Sequence, residues 1–375
     1  MLVMKGEIMS FSFSKMRSIA LACIITVLSF TVACGNAASS SNANTSSAAA
    51  QLAASQCNKS TGLVVYSAQG YDSDTVKAFT RDTGIQAQLV DDSTGNILAK
   101  VAAEGNNPQW DVVWFDGNVT MQNLDDQGYL LKWKSNNISN YTQQGQSLIP
   151  SDYAYYPSGL TAAGVIIYNK AHAPAQLPQD WKDLLNPAFK NEIEMNDPSL
   201  SGPTYPFVAG VSQLLGGEDQ GKNFFTQLKA NGLRAYQTND LTITAVKTGA
   251  KEFGIVQDSA YYGEVANGDN NIGVIYPSSG VAALPSEMGI AANGAHQACA
   301  EAFVNYVMSQ QGQQSMTHHD PTDGDTYFLE LIQGVTPVVT RQTTGINFFN
   351  LNVEKWASVE NEYKQWFTAN IVSGS

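Results

Sequence analysis

Three times between Leu63 and Leu124, a short apolar run breaks at a polar, glycine-bearing turn and passes directly into a helical pattern. Leu63–Tyr66 is apolar and β-branched at successive positions, as in a strand buried on both faces. Ser67-Ala68-Gln69-Gly70 ends it, and the next residues read as a helix. Asp72, Ser73 and Asp74 can each cap that helix, Val76 and Phe79 give it an apolar face, and Gly84 stops it. Ala87–Val90, the turn Asp91-Asp92-Ser93-Thr94-Gly95-Asn96 and a helix over Ile97–Glu104 repeat the pattern. Asp111–Phe115, Asp116-Gly117-Asn118 and a helix with Met121 and Leu124 on its apolar face repeat it again. A strand that turns straight into a helix leaves backbone N–H groups and a positive dipole end at the sheet's carboxyl edge. Any one turn is explained as an ordinary βα unit; three at one edge converge on a crevice, where open α/β sheets bind ligands.

The first residues read as a leader rather than as fold. Lys15 and Arg17 precede the apolar run Ile19–Ala33, too short for a comfortable membrane span but suited to a signal peptide over 1–33, with Met9 or Met16 as alternative starts. Thr31-Val32-Ala33-Cys34-Gly35 resembles a bacterial lipobox, with Thr31 where leucine is usual. That makes Cys34 a lipidated N-terminus, simple secretion being the alternative. Residues 34–57 are mostly Ser, Ala, Asn and Thr and read as a flexible tether.

Net charge narrows the partners. The chain carries −13, and the leader holds Lys5, Lys15 and Arg17 against Glu7, so the protein without it is about two units more negative. Such acidity argues against nucleic acid or an anionic membrane surface as partner and leaves a small ligand open. Cys23 falls in the leader, leaving Cys57 and Cys299 as one pair in an exported, oxidising setting. A disulfide between them is expected; two buried free thiols are the alternative.

Beyond the opening units, Leu160–Asn169 is a long apolar run that reads as a strand crossing between lobes. Trp181–Leu185 is a short helix stopped at Asn186-Pro187. Strands follow at Ile193–Asn196, Arg234–Tyr236, Phe253–Val256 and Ile272–Tyr276, with a return strand at Met288–Ala292. Helices follow at Thr204–Leu215, Asn223–Ala230 and Leu241–Thr248, and after Cys299. A polar loop covers Thr317–Thr326, and Val353–Phe367 is amphipathic. The alternation predicts an α/β protein of two lobes: 58–162 with 283–345, and 163–282, the segment 346–375 being assigned to neither. Two lobes joined by more than one strand form a hinge around a cleft.

Candidate sites differ in strength. Gly216–Lys222 has P-loop spacing, but Asn223 stands where Ser or Thr would hold magnesium, so it reads as a helix–helix turn. His318-His319-Asp320 with Asp323 and Asp325 fits neither zinc nor calcium spacing and reads as a solvated loop. His172 and His296 lie in turn-like contexts, no Gly-x-Ser-x-Gly elbow is present, and neither remaining cysteine has a catalytic context, which disfavours an enzyme. Ser199-Leu200-Ser201-Gly202-Pro203-Thr204, opening a helix, can wrap an anion or be a plain cap. Tyr261-Tyr262 can stack on a ligand, bind a hard metal as phenolates, or be core and rim aromatics.

Taken together, Leu63–Tyr71, Thr94-Gly95, Asn107–Val113, Gly164–Lys170, Asp197-Pro198 with Ser201-Gly202, and Tyr261-Tyr262 resemble the solute-binding proteins of bacterial ABC importers. The similar branch is the type II group that takes up ferric iron, phosphonates, other organophosphates and thiamine. The resemblance implies a two-lobed periplasmic-binding-protein-like type II fold, no catalysis and no cofactor. It further implies an exported, lipid-anchored monomer that hands a small solute to a membrane permease. In the ferric branch a histidine occupies the position of Gly70, so an iron site would rest on Asp116, Tyr261 and Tyr262, with Tyr71 contributing. The first two loops resemble the organophosphate branch better, which implies a phosphorylated or phosphonate solute. Ser67, Gln69, Ser93, Thr94, Ser201, Gly202 and Thr204 would surround its anionic end. Asp116, Tyr236, Asp258, Tyr261 and Tyr262 would engage the remainder. Ferric iron is the alternative ligand, and a secreted α/β hydrolase the alternative class.

Overall fold

The computed structural model describes residues 56–318, 324–336, 341 and 344–373. The expected leader, Cys34 and the tether to residue 55 lie outside the described residues, as do His319, Asp320 and Asp323.

Two sheets organise the chain. The first contains β1 (Leu63–Ser67), β2 (Ala87–Asp91) and β3 (Val112–Asp116), separated by α1 (Asp72–Thr83) and α2 (Thr94–Glu104). β1 lies between β2 and β3 and is parallel to both, with Val65 opposite Leu89 and Val112. α3 (Asn118–Asp126) leaves β3, a short α4 (Gln143–Ser147) follows, and the chain returns as β4 (Tyr155–Ala162). The second sheet is built from β5 (Val165–Asn169), β6 (Ile193–Asn196), β7 (Arg234–Tyr236), β8 (Phe253–Val256) and β9 (Ile272–Ile275), in the order β7-β6-β8-β5-β9. Its helices are α5 (Thr204–Leu215), α6 (Glu218–Ala230), α7 (Asn239–Lys247) and α8 (Asp258–Ala266). β6, β7 and β8 are mutually parallel, and β5 runs antiparallel to β8 and β9. β10 (Val281–Ile290) then rejoins the first sheet, antiparallel to β3 and β4. The remaining elements are α9 (Gln297–Val307), α10 (Gln310–Thr317), β11 (Phe348–Phe349) and α11 (Val353–Phe367).

Two strand readings are corrected. Leu160–Asn169 is not one crossing strand: it belongs to β4 and β5, one in each sheet. The Ala162 N–H is diverted to Asp258 Oδ1 at 2.9 Å, and after one last bond to β10, from the Ala163 N–H to the Ala282 carbonyl at 2.9 Å, the chain leaves the first sheet. The return strand starts at Val281, not Met288. Pro285 sits inside it because β3 has already run out there, pairing only from Asp116 opposite Ser286 onward. Within Gly216–Lys222 only Gly216-Gly217 form the helix–helix junction: α6 starts at Glu218, before the expected Asn223, with Glu218 and Asp219 favourably placed in its first turn.

Aromatic packing holds the layers. Phe79 of α1 meets Phe303 of α9 edge to face at 5.2 Å on one side of the first sheet. Ile97, Val101, Phe115 and Met121 fill the other side. Each such side chain, fully buried, stabilises by about 1.5–3 kcal/mol. α11 sends Trp356, Tyr363 and Phe367 into the core of the second sheet. From the same helix, Glu360 accepts from Thr120 Oγ1 at 2.5 Å and Asn123 Nδ2 at 3.0 Å on α3, so α11 packs on elements of both sheets. Cys57 and Cys299 form a disulfide that ties the start of the described fold to α9.

Candidate functional site

The carboxyl ends of three parallel strands in each sheet face a shared cavity of about 600 Å³. From the first sheet come Ala68, Gln69 and Gly70 after β1, Asp91 to Thr94 at the end of β2, and Asp116 at the end of β3. From the second come Leu200 to Pro203 after β6, Gln237 to Asp240 after β7, and Gln257 after β8. Asp325 completes the wall. α2, α5 and α7 all begin at these turns, so three positive dipole ends approach one volume.

Local chemistry fixes the turns. Ser93 caps α2 by accepting from the Asn96 N–H, and hydrogen bonds from Asn96 and then Lys100 hold Asp92 below the usual carboxylate range. Ser67 is buried under the first turn and accepts from the Gln69 N–H at 3.2 Å. Gln69 Nε2 in turn donates to Asp116 Oδ1 at 3.0 Å, and Ser286 Oγ donates to the same oxygen at 2.5 Å. Burial nevertheless raises the Asp116 carboxyl above its ordinary range, and burial followed by the nearby Asp92 charge does the same to Asp91.

The two halves touch directly. The Gly95 N–H donates to the Leu200 carbonyl at 3.3 Å. A Cβ on Gly202 would lie 2.5 Å from Thr94 Oγ1, so only glycine fits that approach.

Of the residues expected at the site, Gln69, Ser93, Thr94, Asp116, Ser201 and Gly202 line the cavity together. Ser67 lies beneath it. Thr204 is buried at the start of α5, its N–H donating to the Ser201 carbonyl at 3.2 Å. Tyr236 is not on the cavity; its carbonyl accepts from the Asp197 N–H at 2.7 Å. Tyr71 is buried between Trp114 and Phe328, with ring centroids 5.3 and 5.7 Å away. Asp258, Tyr261 and Tyr262 are also off the cavity. Asp258 is engaged by the Ala162 N–H, by Tyr276 Oη at 2.9 Å and by Arg341, whose guanidinium lies 4.8 Å above the Tyr262 ring. Tyr261 packs on Tyr262 at 5.2 Å. Among the described residues, no group of three or more His, Cys, Asp or Glu is placed to hold a metal ion.

Sequence reading missed Asp325 as a site residue. Its Oδ2 accepts from the Gly70 N–H at 2.7 Å and its Oδ1 from Gln257 Nε2 at 2.9 Å, so it links a turn of each sheet. Nothing local marks it within a polar loop. Gln237 to Asp240 were findable, since they form the same strand-to-helix turn as the others.

Two α/β halves thus present parallel strand ends to one cavity, the arrangement of a two-lobed ligand receptor. Residues 107–329 match the family of bacterial extracellular solute-binding proteins, and the chain belongs to that family. Members bind small ligands outside the cytoplasm and deliver them to ABC permeases. A ferric-ion-binding periplasmic protein of Serratia marcescens is 27% identical over 271 residues, 68% of this chain and 75% of that protein. A Salmonella paratyphi A periplasmic protein named for 2-aminoethylphosphonate binding is 24% identical over 275 residues, 67% of this chain and 75% of that one. Among solved structures, AfuA of Actinobacillus pleuropneumoniae with fructose 6-phosphate superposes with a TM-score of 0.74 at 21% identity, covering 83% of this chain and 98% of that one. Iron-bound HitA of Pseudomonas aeruginosa gives 0.68 at 19% identity, covering 80% and 99%. The type II fold expected from the sequence is the fold observed.

Proposed function

We propose that this receptor closes on a small solute carrying a phosphate or phosphonate group and delivers it to the permease of an ABC importer. The observation that carries the reading is the convergence of the α2, α5 and α7 N-termini on one cavity that also contains Ser93, Thr94, Ser201 and Thr238. Backbone N–H groups and hydroxyls at helix starts suit an anion's oxygens. Residues 58–162 with 283–345 would move as one lobe and 163–282 as the other, α11 accompanying the second through its core contacts. Cys34 would carry the lipid that holds the monomer at the outer face of the membrane.

Ferric iron is the competing ligand, supported by the Serratia relative but not by the position of Tyr261 and Tyr262 away from the cavity. The discriminating experiment is thermal unfolding of the full-length protein with fructose 6-phosphate, 2-aminoethylphosphonate, inorganic phosphate or ferric citrate. An organophosphate at about 100 times its Kd adds about 2.7 kcal/mol to stability, and that shift is expected. A visible iron band, lost in Tyr261→Phe, with no response to any phosphorus compound, overturns the reading.

A further inference from the structure

The last helix does not line the cavity, yet it grips the elements that do. α11 carries Trp356, Glu360 and Lys364 four residues apart, and Thr368 continues the series in the turn that follows. Residues at that spacing lie one above another, so the four share one broad side of the helix.

From that side, α11 reaches the starts of two elements at the cavity. Glu360, buried, accepts from Thr120 and Asn123 on α3, which begins two residues after Asp116. Lys364 Nζ lies 2.6 Å from Glu360 Oε1 and 5.2 Å from the centre of the Tyr205 ring on α5. The Tyr205 hydroxyl donates to the Trp356 carbonyl at 2.7 Å, so α11 holds that side chain by its face and by its hydroxyl. Thr368 Oγ1 lies 2.7 Å from Ser199 Oγ, and the next residue, Leu200, is on the cavity wall. One side of one helix therefore touches the helix leaving β3 of the first sheet and the turn leaving β6 of the second.

The cavity turns meet each other more sparsely. A Cβ on Gly117, in the turn after β3, would lie 3.1 Å from Pro206 Cγ in the first turn of α5. The Gly95 N–H and the Leu200 carbonyl supply one backbone hydrogen bond. A single such bond offsets little more than the cost of ordering one residue, too little to set two turns against each other. Burying Glu360 with Lys364 adds little stability over an apolar contact of similar volume, because both ions lose water. What the pair and its partners supply is orientation, with one Glu360 oxygen for each donor on α3.

We infer that the Glu360, Lys364 and Thr368 stripe of α11 is a positioning device that sets the cavity turns of the two sheets against each other. None of the three lines the cavity, so the inference goes beyond the ligand proposed above and holds for any solute taken there. Glu360 acts through α3, Lys364 through Tyr205 and Thr368 through Ser199; all three are positioning residues.

Hydrogen exchange of the full chain without ligand tests this. The Gly95 amide is the reporter: it lies on α2, outside the stripe's hydrogen bonds, and its partner is on the turn from the other sheet. The Gly84 amide, which closes α1 on the Thr80 carbonyl, is a locally opening control. Thr368→Val and Thr120→Val each remove one hydroxyl at nearly constant volume. Each should speed exchange at Gly95 by about threefold to tenfold, the equivalent of one neutral hydrogen bond, and leave Gly84 unchanged. Thr368→Ser, which keeps the hydroxyl, should retain the protection. A merely stabilising role would move only amides that exchange by global unfolding, so an unchanged Gly95 rate in both valine variants overturns the proposal. Equal acceleration at Gly95 and Gly84 overturns it as well. Failure of every phosphorus compound to bind would remove the ligand proposed above and leave this outcome standing.

Discussion

The Gly95 amide of α2 donates to the Leu200 carbonyl of the loop before α5, joining the first sheet's half of the molecule to the second's by one backbone hydrogen bond. A Cβ at Gly95 would stand 2.3 Å from the Ser199 carbonyl oxygen. Gly95→Ala should therefore push apart the two turns that meet here, one from each sheet. Overpacking of this kind costs about 1–3 kcal/mol, which converts to a loss of roughly 5- to 150-fold in ligand affinity. Calorimetric titration measures it. Unchanged affinity would mean that this contact is no part of the ligand-bound form.

The disulfide between Cys57 and Cys299 closes a loop with a sequence separation of 242 residues. Its removal by Cys57→Ser with Cys299→Ser should lower unfolding stability by about 2–5 kcal/mol, whatever the balance between entropic and enthalpic origins. Urea unfolding with and without reductant gives the figure. Coincident transitions would show that the bond contributes nothing.

Asp72, in the first turn of α1, is 2% exposed, and its Oδ2 has no partner among the described residues. Burial, opposed by a hydrogen bond from Ser67, pushes its carboxyl up from 3.8 to about 6. The folded state thus holds this proton more tightly than the unfolded chain. The resulting stabilisation is complete below the unfolded value and is lost as pH rises through about 6. Its ceiling is about 3 kcal/mol, from 1.36 kcal/mol per pKa unit. Asp72→Asn should flatten the stability profile between pH 4 and 7; an unchanged slope would assign the pH dependence elsewhere.

Arg341 and Asp258 are both buried and form an ion pair beside the β4–β5 break. Breaking a buried pair strands a charge, so Arg341→Met should cost about 3–5 kcal/mol. Tyr262→Phe, which removes a neutral hydroxyl and strands no charge, should cost less than Arg341→Met, about 0.5–1.5 kcal/mol for a neutral hydrogen bond. If the two substitutions prove equally destabilising in urea, the stabilising role assigned to the pair is wrong.

Local residue patterns were enough to read β1, α1, β2 and β3, because an apolar β-branched run, a polar turn and a helix stop each act over a few neighbours. Gly84 ends α1 in the left-handed conformation its position suggested. Patterning failed where partners are distant. Leu160–Asn169 is continuous in hydrophobicity, yet Asp258, far along the chain, takes the Ala162 amide and splits it. Tyr261 and Tyr262 had the chemistry of ligands, but α8 carries them toward Tyr276 and Arg341 rather than to the cavity. Asp325 read locally as part of a solvated loop, because its partners Gly70 and Gln257 are remote in sequence, Gly70 by 255 residues.

The class of fold and the strand-to-helix turns at its edge were therefore written in the sequence by itself, since backbone preference and burial period are properties of short stretches. Which turns meet, and which charges and acceptors they bring to one cavity, depended on sheet order and on how the two sheets face each other. Those are settled by packing between residues hundreds of positions apart, where no local rule operates.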